Sequence, residues 1–476
     1  MIYLHWLVLA VYMVVIITTM VAVIMDDRQP EKTLGWLLVL WFMPVVGILL
    51  YIFFGQNIRR QHLMSKRSMD QLTKRSMLEF AEQKGLAIPD MYVPLARLFA
   101  NQDMALPFKG NTVEIYTSGY EFFPALLHEI ALANDHIHID TFIFEDDALG
   151  NLIADALIER SLHGVEVRVI YDDVGSWKVH DSFFERMRDA GIDVHAFMPV
   201  KFPAFTSKAN YRNHRKVCVI DGRTGFIGGM NFALRYVKGT GTQPWRDTHM
   251  KISGRGVYAL QRAFLVDWYF CDRTLIANRR YYPALDEVDD NDCLLQVVTS
   301  GPVSAYPNIM QGYVKVLLQA RSYVYMETPY FLPTEQVLFA MRTAALAGVD
   351  VRLMTPLKGD SWLIDTASKS YLREAAGAGV KVYMYKGGFN HSKLMVCDDM
   401  VSTCGSTNID FRSFEHNFEA NAFFYDRQVA ERIKNVFLHD QTQCVLLTTK
   451  VLSRSRRQPF TRRLWQSIIR LFSPLL

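Results

Sequence analysis

Two copies of one short pattern hold the residues best suited to chemistry in this chain. The first is His214-Arg215-Lys216 with Asp221, and the second is His391-Ser392-Lys393 with Asp398. In both, a Lys stands two residues after the His and an Asp seven after it. Residues i and i+2 of a strand share a face, so each imidazole should project beside its own ammonium group. The Asp, an odd number of positions on, should lie beyond the strand or on its other side. One such pair is half a site; two together surround one point with two imidazoles and two ammonium groups. That arrangement suits an anionic phosphodiester. One imidazole can attack phosphorus and carry a covalent phospho-histidine. The other can protonate the departing alkoxide and then deprotonate the incoming alcohol or water. Lys216 and Lys393, aided by Asn231 and Asn408, can hold the non-bridging oxygens as charge develops. The scheme needs no metal and no nucleotide cofactor.

The elements that must position these residues are duplicated too. Each motif leads into a small-residue turn and an Asn, Gly228-Gly229-Met230-Asn231 and Gly405-Ser406-Thr407-Asn408, and His to Asn is 17 residues in both. Upstream, His136-Ile137-His138-Ile139-Asp140-Thr141 resembles Tyr323-Val324-Tyr325-Met326-Glu327-Thr328 at an offset of 187. Gly164 to Arg168 matches Gly348 to Arg352 at 184, the motif histidines lie 177 apart, and Asp247 and Glu419 lie 172 apart. The shrinking offset means shorter loops in the second half. Leu149–Leu162 and Glu335–Leu346 have helical character, and the flanking runs read as strands. The expected fold is α/β: two βα-layered halves, residues 106–290 and 291–448, related by a pseudo-twofold axis with the site between them.

With these motifs in view the chain resembles the phospholipase D superfamily, and more narrowly its bacterial cardiolipin synthase family. The narrower likeness rests on the amino-terminal apolar pair, Thr328-Pro329-Tyr330-Phe331, the stretch from Asn408 through Arg412 to Glu419, and the closing Arg470-Leu471-Phe472-Ser473-Pro474-Leu475-Leu476. It covers essentially the whole chain. The resemblance implies two phospholipase D-like halves forming one active site, and a reaction in which two phosphatidylglycerol molecules give cardiolipin and glycerol. It implies that His214 is the nucleophile and His391 the acid and base, an order the nearly symmetric motifs do not settle. Asp221 and Asp398 are carried over in supporting roles, orienting the site and balancing charge. Asp247 and Glu419 are placed to fix a histidine tautomer, or equally to be ordinary salt-bridged carboxylates.

The amino terminus points to a membrane. Ile2 to Met25 contains no charged residue, and Leu34 to Phe54 is a further 21 residues without charge. Each is long enough for a bilayer core of roughly 30 Å, so residues 1–55 are expected to form a transmembrane hairpin with spans near 2–25 and 34–54. No basic leader segment or small-x-small cleavage site marks a signal peptide. Arg59, Arg60, Lys66, Arg67, Lys74 and Arg75 follow within the expected linker, residues 56–105, against one Asp70. The positive-inside rule then puts the amino terminus and the catalytic body on the cytoplasmic side, and the resemblance implies that the membrane is a bacterial inner membrane.

The carboxyl terminus, residues 449–476, is basic as well. Lys450, Arg454, Arg456, Arg457, Arg462, Arg463 and Arg470 have no acidic neighbour there; without these seven charges the formal net charge of +4 becomes −3. Leu464, Trp465, Ile468, Ile469, Leu471 and Phe472 follow at helical spacing, which suits anionic lipid or a helix packed on the body. Outside these basic ends the chain is net acidic, which disfavours a nuclease or other nucleic-acid partner. The six cysteines form no C-x-x-C pair and are expected to be free thiols. His136, His138 and Asp140 alternate along one strand face, but Tyr323, Tyr325 and Glu327 replace them in the repeat, so no metal site is expected.

Overall fold

The computed structural model describes residues 2–26, 30–55, 74, 86, 88–200, 210–241, 243, 245–285, 293–447 and 460–474. The two halves share one fifteen-stranded sheet. Half one contributes β1 (Phe108–Tyr116), β2 (His136–Thr141), β3 (Glu166–Asp172), β4 (Asp193–Phe197), β5 (Lys216–Ile220), β6 (Thr224–Gly228) and β7 (His249–Gly254). Half two contributes β8 (Cys293–Ser300), β9 (Tyr323–Glu327), β11 (Asp350–Pro356), β12 (Lys381–Tyr385), β13 (Leu394–Cys397), β14 (Val401–Gly405), β16 (Glu419–Phe424) and the edge strand β17 (Cys444–Leu446). A separate short ladder pairs β10 (Phe331–Leu332) with β15 (Ile409–Asp410).

The strand order is a near mirror about the β1–β8 pair. Outward from it run β7-β6-β5-β2-β3-β4 on one side and β16-β14-β13-β9-β11-β12 on the other. β2, β3 and β4 of half one and β9, β11 and β12 of half two are mutually parallel, and helices make the crossovers that parallel pairing requires; the edge strand β17 adds to β12 antiparallel. Ala148–Leu162 and Asp181–Asp189 do so in half one, Glu335–Leu346 and Trp362–Gly377 in half two. Helices Val257–Asp272 and Arg427–Gln441 cover a core shared by both halves, where Ile227 and Leu260 of one belong to the same buried cluster as Leu394 and Phe437 of the other.

Helical cover on both faces explains the composition of the motif strands. β5 reads Lys-Val-Cys-Val-Ile and β13 Leu-Met-Val-Cys, and every one of these residues is buried. A strand buried on both faces reads as a continuous apolar run rather than an alternating one. Each such Val or Ile stabilises the fold by roughly 1.5–3 kcal/mol. The six cysteines are free thiols.

The expected linker runs too far. Its last part forms helix Val93–Asp103, whose Leu95, Ala96 and Phe99 lie in the core of half two. Gln296 Nε2 donates to the carbonyls of Ala96 (3.1 Å) and Ala105. The basic residues from Arg59 to Arg67, and Arg75, lie outside the described residues.

Of the two expected amino-terminal spans, the first has the length and apolarity of a crossing. Among the described residues one helix is long and apolar enough to cross a membrane, Tyr3–Ile24, with 22 residues. The second apolar run breaks at Met43 into helices Pro30–Phe42 and Pro44–Leu50, followed by one turn of π-helix over Tyr51–Gly55. Pro44 lacks the N–H that a continuous helix requires, and its ring crowds the preceding turn. The 13-residue piece is about 20 Å long at 1.5 Å per residue, short of a full crossing. At its start, Lys32 Nζ pairs with Glu415 Oε2 at 2.8 Å, so the end of the inter-span loop lies against half two.

The tail forms helix Phe460–Leu471. It docks on helix Trp362–Gly377 through buried Ile469 and the Arg470–Glu374 ion pair (2.8 Å), and leaves Leu464, Trp465, Leu471 and Phe472 exposed. Lys450, Arg454, Arg456 and Arg457 lie outside the described residues.

Candidate active site

Each motif histidine is held by the other half. The spacing predicts His and Lys within one strand, but β5 begins only at Lys216 and β13 at Leu394. The backbone at each His pairs instead across the interface. Phe418 N donates to Arg212 O and His214 N to Phe418 O, both at 2.9 Å. Reciprocally, Arg246 N donates to Phe389 O (3.0 Å) and His391 N to Arg246 O (2.6 Å). These bridges set each His beside the acidic residue that follows in the opposite half. His214 Nδ1 lies 3.0 Å from Glu419 Oε1, and His391 Nδ1 lies 2.7 Å from Asp247 Oδ2. With Nδ1–H donating to the carboxylate, each Nε2 keeps its lone pair.

Electrostatics follow from burial. Burial pushes His214 below its ordinary value, and burial with the Lys393 charge pushes His391 down to about 3. Burial lowers Lys216 to about 7 and Lys393 to about 8. Burial alone would raise both carboxylates, yet His214 and Lys216 hold Glu419 below its ordinary range, and Lys393 and His391 do the same for Asp247. Near neutral pH the site therefore combines ionised carboxylates, neutral imidazoles and ammonium groups easily brought to full charge by an arriving anion.

The remaining expected residues separate by position. Asp221 and Asp398 are not at this point. Each follows directly on its strand, in a left-handed backbone conformation (φ 54° and 53°). Asp221 accepts from the backbone N–H groups of Asn134, Asp135 and His136 (2.8–2.9 Å), and Asp398 from those of Arg321, Ser322 and Tyr323 (2.7–2.9 Å). A strand length separates them from the histidines, so they staple the start of β2 and β9 instead of serving in the catalytic group. Asn231 is engaged within half one: its Oδ1 accepts from Ile143 N (3.1 Å), and its Nδ2 donates to Tyr236 Oη (2.9 Å). Tyr236 Oη in turn lies 3.5 Å from His391 Nδ1. Asn408 is buried with its Oδ1 unpartnered. His138 is a core residue, bonded to Gln261 and stacked on Phe264.

Sequence reasoning missed a deeper layer. An Asn precedes both motif histidines, a repeat visible in the sequence. Asn213 Nδ2 donates to Asp140 Oδ1 (2.8 Å) and Asn390 Nδ2 to Glu327 Oε2 (2.9 Å). Behind each acidic partner stands an arginine. Arg215 Nε donates to Glu419 O (3.1 Å) and its Nη1 pairs with Asp267; Arg246 Nη1 donates to Asp247 O (2.6 Å) and its Nε to Asp440 Oδ2 (2.9 Å). Burial, reinforced by Asp440, pushes Glu327 up to about 8. Ser406 Oγ donates to Glu419, whereas Asp247 packs against Gly229, where an added Cβ would meet its carboxylate at 2.1 Å.

Comparison with known proteins agrees with this geometry. The family model described as the phospholipase D-like domain of cardiolipin synthase matches residues 126–242 and 313–441, and a phospholipase D-nuclease N-terminal model matches residues 8–56. The major cardiolipin synthase of Bacillus subtilis (strain 168) is 37% identical, with 97% of each chain covered. The chain belongs to the cardiolipin synthase family of the phospholipase D superfamily. Cardiolipin synthase 2 of Bacillus cereus is 38% identical, over 95% of this chain and 88% of that one. The crystal structure of phosphatidylserine synthase from Haemophilus influenzae superposes with a TM-score of 0.62 at 15% identity, covering 80% of this chain and all of the other, which shows the common fold.

In this member of the cardiolipin synthase family a cavity of about 260 Å³ opens at His214. Half one lines it with Phe142 and Arg212, and half two with Tyr330, Asp360, Asn408 and Arg412. Trp362, at the first turn of the helix that follows Asp360 and Ser361, is exposed near this cavity.

Proposed function

We propose that this member of the family transfers a phosphatidyl group from one phosphatidylglycerol to a second, releasing glycerol and forming cardiolipin. The observation that carries the reading is the crossed pairing, His214 on Glu419 and His391 on Asp247. It leaves two Nε2 atoms to work on one phosphodiester. His391 takes up a proton at Nε2 as the bound phosphodiester anion offsets the burial and lysine charge that hold it neutral. His214 Nε2 then attacks phosphorus, the bond to the glycerol headgroup oxygen breaks, and His391 gives that oxygen the Nε2 proton. His391 then takes the proton from a hydroxyl of the second headgroup, whose oxygen attacks phosphorus as the N–P bond breaks. Lys216 and Lys393 hold the non-bridging oxygens, with Asn408 beside them and Asn231 acting through Tyr236. The assignment of His214 as nucleophile is supported by its place on the cavity wall. A phosphodiester replaces a phosphodiester, so no energy-rich donor or metal enters the scheme.

The test is incubation of the full-length protein in detergent with phosphatidylglycerol alone, with products identified by mass spectrometry. Cardiolipin and equimolar glycerol are expected. Phosphatidic acid with glycerol would make water the acceptor and the chain a phospholipase.

The amino-terminal apolar region is proposed as the membrane anchor, with residues 106–448 as the catalytic body on the cytoplasmic side. The basic residues from Arg59 to Arg75 support that side. The 21 uncharged residues from Leu34 to Phe54 favour a second crossing, whereas the Lys32–Glu415 ion pair favours a second segment that stays with the body. Thiol labelling of Arg28→Cys in sealed vesicles separates them: exposure opposite the body supports a two-span hairpin, and exposure beside the body a single span.

A further inference from the structure

Joining two phospholipids brings two phosphodiester anions within a glycerol's length of each other. The first sits between the histidines and lysines. The second, on the acceptor, needs its own countercharge, because like charges at that separation inside a protein repel strongly.

The cavity at His214 offers such a countercharge. Arg212 and Arg412 reach it from opposite halves. Arg212 is accounted for: its Nη1 lies 3.5 Å from Asp172 Oδ1 and its Nη2 donates to Met198 O. Arg412 is different. Its Nη1 donates to Asn210 Oδ1 (3.2 Å) and its Nη2 to Asn210 O (3.3 Å), both neutral acceptors, and no carboxylate among the described residues forms an ion pair with it. Asp410 also lines this cavity and attracts Arg412 without a direct ion pair; burial raises its carboxyl above the ordinary value, and it accepts from Ser413 N (2.7 Å) as the cap of helix Phe411–Glu415. A half-buried guanidinium whose hydrogen bonds go only to neutral acceptors keeps capacity for an arriving anion, and its planar fork matches phosphate oxygens. Across the same cavity Tyr330 Oη donates to Asp360 Oδ2 (2.7 Å), leaving carboxylate lone pairs suited to glycerol hydroxyls.

We infer that Arg412, with Arg212 beside it, binds the phosphodiester of the acceptor phospholipid and presents its terminal hydroxyl to the phosphatidyl-enzyme, while Asp360 holds the headgroup's other hydroxyl. The inference rests on the phosphatidyl transfer proposed above, and it makes Arg412 a determinant of synthesis over exchange with phosphate-free alcohols.

The test compares two acceptors on the full-length protein. Cardiolipin formation uses an acceptor that carries a phosphate; incorporation of labelled free glycerol into phosphatidylglycerol uses one that does not. Both pass through the same first step. In R412Q the ratio of cardiolipin formation to glycerol exchange should fall about tenfold or more, the effect of losing one charge-assisted contact. R412K should recover part of it. Asn210→Ala removes the local contact without the charge and should hold the ratio within about twofold of wild type, so a fall there equal to that of R412Q would assign Arg412 a structural role and overturn the inference. A parallel loss of both activities in R412Q, or an unchanged ratio, overturns it as well. Wild-type protein that exchanges glycerol but forms no cardiolipin would instead reject the underlying reaction, and this site with it.

Discussion

The two halves back their catalytic pairs with the same group taken from different places. Half one draws its arginine from inside the histidine motif, Arg215, where half two has Ser392. The His391 pair takes its arginine from half one, at the residue before its acid, Arg246, where the His214 pair has Phe418 in that place. Both guanidinium groups bind the carbonyl of the acidic partner and a buried aspartate on the following long helix, Asp267 or Asp440. The brace has been preserved while its origin in the sequence has changed. What the site requires is therefore a positive charge at a place, and the motif's middle position is free to vary when another residue fills that place. The acids differ in a matching way. Glu419 is longer and takes a hydroxyl from Ser406; Asp247 is shorter and needs Gly229 to approach.

The strongest way to break the comparison is to remove the histidines one at a time. His214→Ala and His391→Ala should each reduce cardiolipin formation by at least about a thousandfold, because nucleophile and acid form one unit. Enzyme exposed to phosphorus-labelled phosphatidylglycerol and denatured in detergent at mildly alkaline pH, which spares the acid-labile N–P bond, should retain covalent label in His391→Ala and lose it in His214→Ala. The opposite pattern would exchange the roles of the halves.

The arginine brace gives the next largest effect. Arg246→Phe should lower kcat by about tenfold to a hundredfold, by freeing Asp247 and leaving Asp440 without its partner. Adding Ser392→Arg rebuilds half one's arrangement in half two and should restore much of the loss. Failure of this double variant, in a protein that still folds, would mean that the halves are less alike than their geometry.

The lysines give a smaller effect through pH than through their removal. Lys216 at about 7 and Lys393 at about 8 hold substrate only when protonated, so kcat/KM should decline as pH rises past about 8. Their folded values lie below the unfolded value of about 10.4. Between these limits the unfolded chain binds more protons, and this contribution to stability grows as pH rises from about 7 towards 10. Lys216→Met should thus abolish activity yet raise the melting temperature at pH 7 by a few degrees, roughly, an effect that thermal melts across pH would show fading on the alkaline side.

The least effect on chemistry belongs to the stapling aspartates. Asp221→Ala and Asp398→Ala each leave three backbone N–H groups without an acceptor and should cost about 1–3 kcal/mol of stability. Activity of the folded fraction should change by no more than about threefold. A loss of kcat comparable to that of the histidine variants would return them to the catalytic group.

How much of this was legible in the sequence depends on where each signal lies along the chain. Strand alternation and a repeat of 177 residues located both motifs, and the parity of the Asp position already placed it off the His face. The helices Ala148–Leu162 and Glu335–Leu346 were legible from apolar spacing. The crossing of partners was not, because Asp247 and Glu419 each follow the motif of their own half and only the tertiary bridge hands them to the other. Nor was the brace, since Arg215 and Arg246 occupy unrelated positions in the repeat. Asn213 and Asn390 carried a visible signal, the same residue before each motif His. The break in the second apolar run was equally visible at Pro44.

The backbone bridges from Asn213 to Phe418 and from Asn390 to Arg246 tie the site to the seam between the halves. An opening of that seam separates both imidazoles from their carboxylates at once, so no half-competent intermediate survives it. Loss of turnover on heating should then follow a single transition, coincident with parting of the seam, and the chain would act as a thermal fuse with one setting instead of two.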